Sequence, residues 1–561
     1  MNYKILNILK LNLFIYQDII PCGHLFLLER LFLVTKFFYK IGVNMASLSF
    51  EQKLWKSCDK LRGSVEPSEY KHVVLGLIFL KYAGDRFDQQ QEKLIEDGDE
   101  QFINIPSFYV KDNVFFLPEN SRWSYIMENA KQDNIALILD TAFNEIEKNN
   151  DKLRGALPNN YYSRIELETN KLSSLLDEIN GIDTAADNEQ DFIGRVYEYF
   201  LSQFAIKEGK GKGEFYTPKS VVNLIAEILE PYDGTIYDPC CGSGGMFVQS
   251  LKFIESHQGN TKNISVYGQE LTATTRRLAL MNLAIRGISA NLGEKAADTF
   301  FNDQHKDQRF DYIMANPPFN LKEWREENEL VNDYRWNGFE VPPTGNANYA
   351  WILHMLSKLS ENGTAGFILS NGSLNSSGVE YNIRKKLVET GVIESIMVLP
   401  MKLFYSTNIS VSLWVLNKNK LQRTVEKNNQ TKNYRNRKNE VIFFDLRNMG
   451  SPIHKKFIEL TKEDRDKVVE TIHNWQTDKF ETEYEDISEF CYSATIEEIR
   501  ENDYELSPSQ YIEFVDKDEN INFDVEMTRL SKELGELLKE EEESTKKLLK
   551  IMKELNYEIQ L

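Results

Sequence analysis

The chain has 561 residues, 41% hydrophobic and 12% aromatic, so it can bury several cores and is not a disordered protein. Its formal net charge of −20 argues against a protein that holds nucleic acid by overall positive charge; phosphate affinity would need a local basic surface or a partner. The 5 cysteines (Cys22, Cys58, Cys240, Cys241 and Cys491) have no metal-ligand spacing, which argues against a disulfide framework or zinc site and fits a reducing cytoplasm.

Residues 1–44 are rich in Leu, Ile and Phe. Lys10, Asp18, His24, Glu29, Arg30 and Lys36 interrupt every run, so no membrane span of ~18 apolar residues exists there. No small-residue cleavage site follows. Met45 opens an ordinary amphipathic start, and residues 1–44 are expected to be an upstream extension outside the native protein.

Residues 45–206 are expected to form a helical N-terminal domain. Leu54, Cys58 and Leu61 fall at helical spacing, and residues 73–80 form an apolar run that reads as a buried helix segment. Ile135, Ile138, Leu139, Ala142, Phe143 and Ile146 mark a second helix; a third starts at Asp191 and carries Tyr197, Tyr199, Phe200 and Phe204. Lys207-Glu208-Gly209-Lys210-Gly211-Lys212-Gly213-Glu214 then breaks the pattern. It reads either as a solvated linker or as a loop facing DNA or a cofactor.

From residue 207 to 450 helices and strands alternate. Strands are expected at 235–238, 265–268, 310–315, 366–369, 394–399 and 411–416, with helical patterns between several of them. This predicts a doubly wound, Rossmann-like α/β sheet of largely parallel strands. The runs at 394–399 and 411–416 suit a hairpin at the sheet edge. Residues 418–440, rich in Lys, Asn, Arg and Gln, are expected to be a mobile loop before a short strand at 441–444. Residues 451–561 are expected to be a helical, subunit-contacting region. Met527, Leu530, Leu534, Leu537, Leu548, Ile551 and Leu555 follow coiled-coil spacing, interrupted at Glu541 and Ser544. The plainer alternative is a helix packed on its own domain.

The chemistry concentrates in the middle domain. Asp238-Pro239-Cys240-Cys241-Gly242-Ser243-Gly244-Gly245 joins a strand to a helix. Its glycines permit positive φ and close ligand approach. Asp238 at the mouth repels phosphate but suits a cation, such as the amino group of S-adenosylmethionine. Cys240 and Cys241 are read as small turn residues. Glu270, 32 residues on (270 − 238), ends the next strand, where an acid can take both ribose hydroxyls of a nucleoside cofactor. Asp298 could accept from the adenine amino group of that cofactor, or be a solvent-facing loop carboxylate. Glu214-Phe215-Tyr216-Thr217-Pro218-Lys219 precedes a helix; Thr217 suits its N-cap, Pro218 its first residue, and Tyr216 and Thr217 the methionine end of the cofactor.

Asn316-Pro317-Pro318-Phe319 closes the strand at 310–315. The Asn316 amide oxygen can accept a hydrogen from a planar amino group, the prolines bring no competing N–H, and Phe319 can stack on a ring. All these sites would lie at the carboxyl ends of neighbouring strands.

In this order, Phe215-Tyr216-Thr217-Pro218, Asp238-Pro239 with its glycine turn, Glu270 and Asn316-Pro317-Pro318-Phe319 resemble the gamma-class amino-methyltransferases. The chain is similar to the modification (methyltransferase, M) subunits of type I restriction-modification systems. Leu61-Arg62-Gly63, Tyr70-Lys71, Phe79-Leu80-Lys81-Tyr82, residues 191–199 and Leu506-Ser507-Pro508-Ser509-Gln510-Tyr511 extend the resemblance from about residue 47 to 511. Two features depart from it: Cys240 and Cys241 stand where relatives often have a small apolar residue, and Asn348 in Asn348-Tyr349-Ala350-Trp351 replaces an acid common among relatives.

The resemblance implies an S-adenosylmethionine-dependent, adenine-specific N6 DNA methyltransferase, with Asn316, Pro317, Pro318 and Phe319 as catalytic residues. The cofactor residues it implies are Glu214, Phe215, Tyr216, Thr217, Pro218, Lys219, Asp238, Gly242, Ser243, Gly244, Gly245, Glu270 and Asp298. It implies DNA as substrate, a specificity subunit clamped between two copies of this chain, a restriction subunit, no membrane and no metal. The C-terminal helix is the expected subunit contact. N4-cytosine or protein-glutamine methylation, or a non-catalytic DNA clamp, are the alternatives; Asn316 in place of Ser or Asp favours adenine.

Overall fold

The computed structural model describes residues 55, 67–112, 114–158, 160–165, 167–181, 192–208, 217–404, 410–454, 457–514 and 523–554. The expected extension at 1–44, the Leu54–Cys58–Leu61 stripe, Asp191, the glycine-lysine stretch beyond Glu208, and Leu555 lie outside these residues. The chain divides into two compact units, one taking Met1–Glu208 with Ala284–Gly287, the other Gly209–Leu283 with Ile288–Leu561.

The first unit is helical. Pro67–Glu96 is a 30-residue helix, and Val73, Val74, Leu75, Leu77, Ile78, Phe79 and Leu80 within it are fully buried. Helices Ile135–Asn149, Thr169–Asn180 and Phe192–Glu208 follow. Helix Ile135–Asn149 buries the expected stripe except Ile138, which is half-buried. Asp140 is also buried on that stripe. Its carboxylate accepts the backbone N–H groups of Tyr161, Tyr162 and Ser163 at 2.8–2.9 Å, which ties down the turn that follows.

The second unit is built on strands β1 (Gly234–Asp238), β2 (Ile264–Gly268), β3 (Ala290–Asn291), β4 (Phe310–Ala315), β5 (Leu359–Ser370), β6 (Ile393–Val398) and β7 (Val411–Asn417). They continue as β8 (Arg423–Lys427), β9 (Gln430–Tyr434), β10 (Glu440–Asp445), β11 (Ser451–His454), β12 (Phe457–Glu459) and β13 (Cys491–Thr495). Nine of these make one sheet in the order β3-β2-β1-β4-β5-β7-β6-β10-β13. The ladders β1–β2, β1–β4, β4–β5 and β6–β10 are parallel. Period-two alternation splits the side chains between two cores. Ile236, Met314, Ile368 and Leu413 face one, with helices Lys219–Leu229, Gly245–Ser256 and Lys462–Gln476. Tyr237, Ile313, Phe367 and Trp414 face the other, with helices Asn348–Lys358 and Val379–Thr390. The doubly wound fold expected from the alternating pattern is present.

Three details differ from expectation. β6 and β7 do pair antiparallel, but not at an edge: β7 lies between β5 and β6, and all seven of its residues are buried. Its largely apolar run, with Ser412 and Asn417 also buried, belongs to an interior strand covered on both faces. Residues 418–440 are not a loop throughout. β8 and β9 form a hairpin. After it, Arg437 is completely buried with its Nε 3.0 Å from Glu394, also completely buried. Gln476 donates to the same carboxylate. Composition marks such a segment as solvated because it counts charges, not the partners that neutralise them. Finally, the expected break at residue 450 does not end the sheet unit: β13 pairs with β10, and Val468, Ile472 and Trp475 of helix Lys462–Gln476 enter its core.

Burial pushes the Glu394 carboxyl up, yet Arg437 and Lys420 outweigh it and hold it below the usual carboxylate range. Arg437→Met therefore strands a buried charge, and urea unfolding should find the variant about 3–5 kcal/mol less stable. A loss below about 1 kcal/mol would contradict this account of the pair.

Candidate active site

The site grows from the carboxyl ends of parallel strands. β1 ends at Asp238 and turns into helix Gly245–Ser256. Gly242 (φ 53°) and Gly244 (φ 79°) take left-handed conformations that a side chain would strain. Asn282, buried on the next helix, donates to the Ser243 carbonyl at 2.8 Å and holds the turn.

Asp238 is only 2% exposed. Its Oδ1 accepts the Cys240 N–H at 3.0 Å. Burial pushes its carboxyl up to about 7, with the Glu270 charge adding to the rise and the bonds from Cys240 opposing it. Glu270 follows β2. Its Oε2 accepts the Gly242 N–H at 3.1 Å and its Oε1 the Thr272 N–H at 2.9 Å. One carboxylate thus reaches from the second strand into the glycine turn of the first. Burial raises both neighbouring thiols, so Cys240 and Cys241 stay protonated at neutral pH and are poor nucleophiles.

Asp298 lies in the loop after β3, where its Oδ1 accepts the Phe300 N–H at 2.7 Å. Ala297 N–H donates to the Glu270 carbonyl at 3.0 Å, and Thr299 Oγ1 to the Pro239 carbonyl at 2.6 Å. The loops after β1, β2 and β3 are therefore laced into one rim. Asp238, Gly242, Ser243, Gly244, Gly245, Glu270 and Asp298 share it.

Asn316 follows β4. The β1–β4 register pairs Tyr237 with Ile313, which brings Asn316 to the same edge as Asp238. The Asn316 amide donates from Nδ2 to Thr217 Oγ1 at 2.9 Å. Its Oδ1 is buried and has no hydrogen-bond partner among the described residues. Pro317 is buried; Pro318 and Phe319 are half-buried. The Phe319 ring stands edge-on to Phe404, centroids 6.3 Å apart.

Of the stretch expected to line the cofactor, Glu214, Phe215 and Tyr216 lie outside the described residues. Thr217 does not cap the helix Lys219–Leu229. Pro218 occupies the capping position, and no side chain bonds the helix end. The Thr217 hydroxyl meets Asn316 instead, a pairing across 99 residues that local propensity cannot register. Lys219 is exposed.

Three further residues lie at this rim, and of these Arg335 has no local sequence signal. Arg335 is 4% exposed and donates to the Thr299 and Phe300 carbonyls at 3.2 and 2.6 Å while chelating Asp333. It fastens the segment after β4 to the Asp298 loop. Leu271 and Phe301 are 64% and 48% exposed, large apolar surfaces left open beside Glu270 and Asp298. A large apolar residue one position after Glu270 and another three positions after Asp298 are the signal the sequence offers for them.

Residues 188–520 match the N-6 DNA Methylase family, and residues 50–179 match the HsdM N-terminal domain. The type I restriction enzyme MjaIX methylase subunit of Methanocaldococcus jannaschii is 36% identical over 91% of this chain and 92% of its own length. The HindI methylase subunit of Haemophilus influenzae is 40% identical over 79% of this chain and 100% of its own. The crystal structure of a type I restriction-modification methyltransferase subunit from Streptococcus thermophilus superposes with a TM-score of 0.67 at 25% identity, covering 83% of this chain and 99% of that one. The family match spans the glycine turn, the paired acids and the Asn316 rim alike, and the chain belongs to the N-6 DNA methylase family as a type I restriction-modification methylase subunit.

Proposed function

We propose that this methylase transfers a methyl group to N6 of an adenine flipped out of DNA, with Asn316, Pro317, Pro318 and Phe319 as its catalytic residues. One observation carries the reading: Asn316 Oδ1, a buried acceptor without a donor among the described residues. Leaving an acceptor so costs stability, which is reasonable where an incoming N–H is to be received. The base must leave the duplex to reach it. Asn316 Oδ1 and the Pro317 carbonyl then accept hydrogen bonds from the two N6 hydrogens, which turns the nitrogen lone pair out of the conjugated ring system towards the sulfonium methyl. As the N–C bond forms the S–CH3 bond breaks, the thioether S-adenosylhomocysteine leaves, and one N6 proton is lost to solvent. Phe319 stacks on the base and keeps it there. Positioning and electrostatics do the work, and no side chain forms a covalent intermediate.

S-adenosylmethionine supplies the methyl group as a sulfonium electrophile. The residues of the rim suit it. Asp238 matches its amino cation, Glu270 the ribose hydroxyls, and Asp298 the adenine amino group. Leu271 and Phe301 offer apolar faces to the adenine ring. Gly242, Ser243, Gly244 and Gly245 let backbone approach closely, and Glu214 to Lys219 would border the methionine end.

We assign sequence recognition to a specificity subunit embraced by two copies of this chain, with a restriction subunit joining them in the cytoplasm. The acidic charge of the chain supports a division of labour in which another subunit reads DNA. Helix Phe523–Glu554 supports a contact surface: Met527, Leu530, Leu534 and Leu537 on it are all exposed. Among the described residues no helix is long and apolar enough to cross a membrane.

With labelled S-adenosylmethionine and the assembled complex, Asn316→Ala should lower methyl transfer to DNA by at least about 100-fold while cofactor binding survives. Full activity in that variant would refute the assignment. Phe319→Ala should weaken retention of the flipped base, and Phe319→Tyr should be tolerated. Because Asp238 sits near pH 7, its carboxylate is lost as pH falls through neutrality. The cofactor-affinity advantage of wild type over Asp238→Asn should therefore shrink from pH 8 to pH 6 in calorimetry; a constant ratio would count against Asp238 as the cation's partner. Truncation before Asp524 should prevent assembly, and size-exclusion chromatography of a normal complex would rule that contact out.

A further inference from the structure

The residue after the tetrapeptide, Asn320, has φ 52°, a left-handed conformation that asparagine adopts more readily than most side-chain-bearing residues but that is still less favourable than the right-handed one. Asn348 braces this turn. Its Oδ1 accepts the Asn320 backbone N–H at 2.9 Å, and its Nδ2 donates to the Asn320 side-chain oxygen at 2.9 Å. Ser370 Oγ donates to that same oxygen at 2.8 Å and receives Asn348 Nδ2 at 3.3 Å. Asn348 is 1% exposed and opens helix Asn348–Lys358; Ser370, 7% exposed, closes β5. Next to them, the Ala347 N–H donates to the Leu321 carbonyl at 3.0 Å. A helix start and the end of the strand beside β4 thus grip the backbone one residue beyond Phe319.

We propose that Asn348 is the positioning residue for Phe319: it clamps Asn320 in its left-handed turn and so fixes where the aromatic ring stands to meet the target base. The proposal rests on the reading of Asn316 to Phe319 as the base-binding residues. Asn348 itself touches neither base nor cofactor and acts through Asn320. The chemistry also accounts for an amide at a place where an acid would serve. A carboxylate keeps the acceptor for the Asn320 N–H, and the Asn320 amide can turn over to present its NH2 to the second oxygen. An aliphatic side chain of the same size offers neither bond. It leaves a backbone donor unpaired and the left-handed turn unsupported.

The test uses the complex assembled with its DNA-reading subunit and three readouts: steady-state methyl transfer, S-adenosylmethionine affinity, and fluorescence of 2-aminopurine placed at the target adenine. Asn348→Leu should lower kcat by about tenfold or more and reduce the fluorescence of the extruded base, with cofactor affinity changed by less than about twofold. Asn348→Asp should restore kcat to within about threefold of wild type. Asn320→Gly, placed in the Asn348→Leu chain, should recover part of the loss, since glycine takes positive φ without a clamp. Wild-type kcat in Asn348→Leu overturns the proposal. So does a loss shared equally by kcat and cofactor affinity, or an aspartate no better than leucine, for either marks a merely structural residue. If Asn348→Leu does not fold, Ser370→Ala decides: it should lower kcat and base extrusion in the same direction, and wild-type values overturn the clamp. Phe319→Ala is run alongside. Full activity there removes the reading of Phe319, whereas a dead Phe319→Ala beside an active Asn348→Leu removes only the clamp.

Discussion

The parallel ladder β2–β1–β4 sets the level at which every group of the site stands. Its register places Asp238 opposite Gly268 and Tyr237 opposite Ile313, so Glu270 and Asn316 emerge at one edge with Asp238. Backbone pairing in the ladder brings residues 238, 270 and 316, distant in the chain, to one level. Once level, the loops bind one another. Glu270 holds the glycine turn through Gly242, and Thr299 holds Pro239. Arg335 then fastens the segment after β4 to the Asp298 loop that follows β3.

The rim concentrates polar groups under conditions that cost folding energy. Asp238 is buried beside a second carboxylate, and the Asn316 amide oxygen lies buried without a donor among the described residues. Stability must come from elsewhere, and two continuous apolar cores, one on each face of the sheet, provide it. A rigid sheet with strained, under-satisfied loop ends is a sound arrangement for catalysis that works by positioning. Under the proposed mechanism such groups would be aimed before the substrate arrives, with little reorganisation left to do.

Much of this was legible in the residues because the signals were local. A strand running into glycines, an acid at the next strand end and a proline-locked amide each declare themselves within a few residues. The resemblance to gamma-class amino-methyltransferases rested on those same stretches, and the family match agrees with it. What escaped notice was non-local. Thr217 looked like a helix cap because the helix is nearby, while its hydroxyl meets an amide 99 residues away. Residues 418–440 looked solvated because Arg and Lys ordinarily are; Arg437 is buried because Glu394, 43 residues earlier, neutralises it. β7 read as an edge because chain order suggested one, whereas sheet order is set by which apolar faces must be covered.

The central claim is geometric: Asn316 Oδ1 is the acceptor that receives the target amino group. A structure of the assembled complex on its DNA site, with a non-reactive S-adenosylmethionine analogue, measures this most directly. The account predicts an extruded adenine stacked on Phe319, its N6 about 3 Å from both Asn316 Oδ1 and the Pro317 carbonyl. An adenine held in the pocket with its amino group turned away from Asn316, or one left stacked in the duplex, would contradict it.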